Sequence, residues 1–234
     1  MDKPELQNTY IQVQDGAVIT YGGRQGMFPE KKMSAYGCGL VAIGDILLYL
    51  HRYKNAGTGD IIFSWDDEQV CRKDLYLDYL RTLEKNYFYV STLIRGITGW
   101  ALAIGFNVFA KRKKLGYRAV WGVMPHKLHA SIEKSLKNNI PVLFSVGARI
   151  PFLWKKCGVT LYVRDGISYR KACTVCKHYM TITGIFCDDK YGEMLRISSW
   201  GREYYMRWDE YEHFMKKCSN PLYTNILLIR NSVI

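Results

Sequence analysis

From Gly39 to Tyr53 apolar residues occupy nearly every face of a 3.6-residue period. Leu40, Ile43, Leu47 and Leu50 fall at helical spacing, and Val41, Ala42, Ile46 and Leu48 fill the other faces. A helix apolar nearly all round is a buried one. Upstream, residues 9–22 alternate loosely (Tyr10, Gln12, Gln14, then Ala17, Val18, Ile19, Tyr21) and end in Gly22-Gly23, which predicts short strands and a turn. A loop is expected through Pro29 and Ser34 to Gly37. Turn residues from Asn55 to Gly59 close the buried helix, and residues 66–85 and 98–113 predict two or three further helices.

The texture changes near residue 118. Ala119 to Val123 reads as a strand, Lys127 to Asn138 as an amphipathic helix, and Pro141 to Val146 as a buried strand. Strands then dominate, over 158–164, 178–186, 193–199 and 203–207. A short helix over 208–217 and a last strand, Asn225 to Arg230, follow. A helix-rich half (about 34–117) before a strand-rich half (about 118–234) predicts an α+β fold in one domain, with a cleft where the halves meet.

Composition narrows the class. Apolar residues at 48% and charged residues at 23% of 234 suit a globular chain that needs no metal or disulfide staples. The net charge of +12 raises the question of an anionic partner. The basic residues are dispersed, and the tightest run, Lys111 to Lys114, suits a helix C-terminus. No nucleic-acid-binding signature accompanies them, so no nucleic acid is expected. Seven cysteines, an odd number, argue against a complete disulfide framework. No membrane span is expected from the short apolar runs. Met1 to Glu5 lacks an apolar signal region, which points to a cytoplasmic setting.

Tyr36-Gly37-Cys38-Gly39-Leu40 opens the buried helix. Unpaired N–H groups and partial positive charge at a helix N-terminus lower the pKa of a thiol there, and the thiolate is the nucleophile. The flanking glycines admit a substrate carbonyl to the Cys38 N–H, a natural oxyanion donor. The base must come from elsewhere in the fold. His51 is more than three turns along the same helix, His126 and His129 flank a helix start, and His213 lies in a polar run. His178 begins the strand His178-Tyr179-Met180-Thr181-Ile182-Thr183-Gly184. A hairpin turning near Asp189 brings residues near 198–202 opposite it, so Ser198 and Ser199 reach the same rim, where an orienting group should stand.

Three blocks in this order resemble the papain-like cysteine peptidases, nearest to the type that processes bacteriocin leaders. They are Gly37-Cys38-Gly39 with its apolar helix, His178 to Gly184, and Ile197-Ser198-Ser199-Trp200-Gly201. Asn139-Ile140-Pro141-Val142 is similar to the strand before the base. The resemblance spans residues 25 to 214. It implies a helical half carrying the nucleophile, packed on an antiparallel β half carrying the histidine. It also implies cysteine hydrolase chemistry on a peptide or other acyl substrate, with Cys38 as nucleophile, His178 as base and no cofactor. The family places a Gln upstream of the nucleophile as an oxyanion donor, and Gln25 is the match. Ser198 stands where papain relatives carry Asn and the processing peptidases carry Asp, and Leu40 stands where the latter have Pro. A hydroxyl does not stabilise imidazolium as a carboxylate does. The alternative reading is therefore a papain-like fold that binds a peptide without cleaving it.

Two constellations remain. Cys173-x-x-Cys176 has the spacing of half a zinc site or of a redox pair, but only Cys157 and Cys187 lie near it in sequence. Structural cysteines and no metal are expected. Trp200, Tyr204, Tyr205, Trp208 and Tyr211 form an aromatic cluster, expected mainly as core under the β half.

Overall fold

The computed structural model describes residues 3–54, 70–147, 158–219 and 222–232. The chain begins with a hairpin, β1 (Gln12–Asp15) and β2 (Val18–Tyr21), turned through Gly16. A 3-10 turn (Gln25–Met27) and a short helix α1 (Lys31–Tyr36) lead into α2 (Cys38–Lys54). Then come β3 (Val70–Arg72), α3 (Lys73–Asn86), α4 (Gly99–Arg112) and β4 (Tyr117–Trp121). The second half holds α5 (Leu128–Lys137), β5 (Val142–Val146), β6 (Val159–Asp165), β7 (Ser168–Val175), β8 (His178–Asp188), β9 (Gly192–Ser199), β10 (Arg202–Arg207), α6 (Trp208–Lys217) and β11 (Ile226–Asn231).

The fold is α+β. Eight strands form one antiparallel sheet in the order β4-β11-β5-β8-β9-β10-β6-β7, and β2-β1-β3 form a small second sheet. Every residue of β5 is buried, so this strand sits inside the sheet with apolar layers on both faces. The helix α2 packs on β8, and its side chains from Leu40 to Leu50 are almost entirely buried. Close approach needs Gly39, where a Cβ would stand 3.1 Å from the Tyr179 ring. A single hydrophobic cluster joins α2, α3 and α4 to both faces of β5, β8 and β11.

Some elements depart from expectation. The loop expected before Gly37 contains α1, whose two turns are too short for periodicity to register. The strands β3 and β7 were not expected. β3 has three residues and is held by parallel pairing to β1. β7 is an edge strand whose exposed residues, Ser168, Arg170 and Lys171 among them, give no apolar face to read. The turn expected at residues 55–59 lies outside the described residues. Among the described residues no helix is long and apolar enough to cross a membrane. Cys218 is disulfide-bonded, while Cys38, Cys71, Cys173, Cys176 and Cys187 are free thiols.

Candidate active site

Cys38 is the first residue of α2, and the helix it opens does not continue α1. The ladder of α1 closes with Gly37 N–H donating to Met33 O (2.8 Å) and resumes with Val41 N–H donating to Gly37 O (3.0 Å). The N–H groups of Cys38, Gly39 and Leu40 fall in that break, as first-turn donors of a helix do. Burial pushes the Cys38 thiol above its ordinary value, and the N–H groups of Tyr179, Gly39 and Cys38 itself pull against that rise. The α2 N-terminus and the first residues of β8 thus meet at the sulfur.

His178 is the first residue of β8 and is buried, 9% exposed. Its Nε2 lies 2.8 Å from Ser199 Oγ. The imidazole stacks on the Trp200 indole, with centroids 4.3 Å apart and planes at 21°. Burial depresses the imidazole to about 4, so it is neutral at ordinary pH. When Nε2 donates to Ser199, the ring's lone pair sits on Nδ1. Cys38 and His178 line the same two cavities, and among the described residues no hydrogen bond joins their side chains.

The hydroxyl against His178 Nε2 is that of Ser199, not that of Ser198. The hairpin starts in a register pairing Asp188 with Gly192 and Gly184 with Arg196, but beyond Thr183 it pairs Ile182 with Ile197 and Thr181 with Ser198. One extra residue in β8 shifts the pairing by one, and a one-residue shift exchanges the faces of a strand. An unbroken register would put Ser198 on the His178 face; the bulge puts Ser199 there. Ser198 Oγ instead donates to Tyr21 O (2.9 Å), tying β9 to β2. The turn after Ser199 has positive φ at Trp200 (49°) and Gly201 (73°), the geometry of a two-residue hairpin turn. Glycine adopts it readily; tryptophan does not, and here that conformation lays the indole over the imidazole.

Gln25 lies on the wall of the smaller cavity, of about 20 Å³, that Cys38 and His178 also line. Its Nε2, however, donates to Ser34 O (2.8 Å) and Ala35 O (3.2 Å). An amide nitrogen has two hydrogens, and both are used. In this arrangement Gln25 is not the direct oxyanion donor that the resemblance implies.

Asp45 was not singled out from sequence, where it reads as one polar residue in an apolar run. It stands two turns after Cys38 on the same face and lines the same cavity. Its carboxyl is 2% exposed and accepts from Tyr76 Oη (2.6 Å) and Gly23 N–H (3.0 Å). Burial raises it to about 7, with these two hydrogen bonds opposing the rise.

On the other side of Cys38 and His178 a cleft of about 410 Å³ is lined by Ile94, Ile97, Trp100, Leu222 and Tyr223, together with Ser145, Arg95 and Lys177. Ile94, Trp100, Leu222 and Tyr223 are roughly half exposed. Elsewhere, Cys173 and Cys176 are free, and no group of three or more potential metal-binding side chains converges among the described residues. Of the aromatic cluster, Tyr204, Tyr205 and Tyr211 are buried.

Comparison of the chain with protein-family models, curated proteins and solved structures gives no match.

Proposed function

We propose that the protein is a papain-like cysteine hydrolase acting through a Cys38 thioester, with His178 as the base. One observation carries the reading: a thiol at an open helix N-terminus and an imidazole fixed by a hydroxyl and an indole line the same cavities. The thiol is raised and the imidazole depressed, so the resting pair is neutral rather than a preformed ion pair. The thiol attacks the acyl carbon and the S–C bond forms as the S–H proton passes to His178 Nδ1. The Cys38 and Gly39 N–H groups hold the oxyanion. The imidazolium returns its proton to the leaving amine or alcohol as the C–N or C–O bond breaks, and water then hydrolyses the thioester. Apolar side chains left in solvent beside the thiol favour an acyl group with a large apolar side chain.

The second reading, a peptide-binding module without turnover, draws on the hydroxyl partner of His178, which leaves imidazolium without a carboxylate beside it. Turnover of a peptide and ester library by the wild type and by Cys38→Ala separates the two. Loss of turnover in the variant supports the hydrolase; identical rates with retained peptide binding support the module. The Cys218 disulfide weighs toward an oxidising compartment over the cytoplasmic setting.

A further inference from the structure

We propose that Gln25 is a positioning residue that keeps the helix break at Gly37 open and so sets the acidity of the Cys38 thiol. In an uninterrupted α-helix the N–H of Cys38 would bond to Ser34 O and that of Gly39 to Ala35 O, four residues back. These are the two carbonyls that Gln25 Nε2 occupies, at 2.8 and 3.2 Å. The amide orientation is fixed by chemistry, since turning it over would set Gln25 Oε1 against two carbonyl oxygens. The residue is itself anchored: Phe28 N–H donates to Gln25 O (3.2 Å), and the chain two residues earlier is held by Gly23 N–H on Asp45. With their helical acceptors engaged by Gln25, the Cys38 and Gly39 N–H groups are left facing the Cys38 sulfur. Gln25 therefore acts on the nucleophile through the backbone, without touching substrate. The inference rests on Cys38 being the nucleophile, but its structural part stands apart from turnover.

The test compares the wild type with Gln25→Met, which keeps the length and removes the donors, and with Gln25→Ala. Two quantities are read: the pH dependence of iodoacetamide alkylation at Cys38, followed by peptide mass spectrometry, and hydrogen exchange at the Cys38 and Gly39 amides. In the variants the ladder closes. The two amides gain protection, the alkylation midpoint moves up by about one pH unit, and Cys38 labelling at neutral pH falls about tenfold. A direct oxyanion donor would leave both readouts unchanged while slowing acylation. Folded variants with wild-type alkylation midpoints and amide exchange overturn the proposal. If neither variant folds, the wild type still decides: Cys38 and Gly39 amides as protected as Val41 overturn it, and rapid exchange at both supports it. Failure of an activated ester to acylate Cys38 in the wild type would defeat the hydrolase reading alone, leaving the Gln25 inference to the exchange data.

Discussion

Replacing Asp45 by Asn should change how stability depends on pH, by an amount the surroundings of the carboxyl determine. Asp45 is enclosed by α2, Gly23 and Tyr76, and burial holds its pKa near 7 instead of 3.8. Below about pH 4 both folded and unfolded chains hold the proton. Between about pH 4 and 7 only the folded chain holds it, so rising pH costs the fold about 1.4 kcal/mol per unit. Above 7 neither state holds it and the slope vanishes. The stability lost across that window is roughly 4 kcal/mol. Asn matches the protonated acid in shape and never ionises, so Asp45→Asn should be within about 1 kcal/mol of wild type at pH 4. At pH 8 it should be more stable by roughly 4 kcal/mol. His178 acts in the opposite sense: an imidazole depressed to about 4 makes stability rise from about pH 4 to 6.5. Both proteins carry that contribution, so it cancels in the difference. Urea unfolding followed by tryptophan fluorescence at several pH values gives the two curves. Parallel curves across pH 4 to 8 would refute the reasoning, because the carboxyl would then titrate alike in both states.

Other consequences can be checked one at a time. Ser199→Ala should lower kcat by about tenfold or more and Ser198→Ala should not, because Ser199 is hydrogen-bonded to the imidazole and Ser198 is not; steady-state hydrolysis of an activated apolar ester measures both. With His178 free as a base above about pH 4, kcat/KM should rise through an apparent pKa near 4. In Trp200→Ala, which lets water onto the ring, that limb should move toward 6.5, as a pH–rate profile would show. Gly44→Ala would drive a methyl group into Leu80 of α3 and should destabilise by about 1–3 kcal/mol in urea unfolding.

What the sequence revealed depended on how each element is stabilised. The α2 helix and the β5 strand were legible because their burial is written into nearly every position. β7 was not, because an edge strand with Arg170 and Lys171 outward has little apolar pattern. His178 stood out as the first residue of an apolar strand facing a hairpin partner. The choice between Ser198 and Ser199 turned on a bulge at Thr183, a tertiary irregularity that alternation alone does not disclose. Asp45, and the stacking of Trp200 on His178, were hidden for a related reason. A single acid in an apolar helix and one aromatic among several acquire meaning only when Gly23, Tyr76 and His178 are brought beside them. The role assigned to Gln25 by resemblance was corrected by counting its two hydrogens against two carbonyls.

The central claim, that Cys38 attacks acyl carbon with the help of His178, is tested most directly by trapping the acyl-enzyme. A p-nitrophenyl ester with a bulky apolar acyl group would be mixed with the wild type, Cys38→Ala and His178→Ala near neutral pH, and the acylated residue mapped by mass spectrometry. The acyl group should accumulate on Cys38 of the wild type ahead of Cys71, Cys173, Cys176 and Cys187, and far more slowly on Cys38 of His178→Ala. Acylation spread over the exposed thiols, or proceeding equally fast at Cys38 without His178, would contradict it.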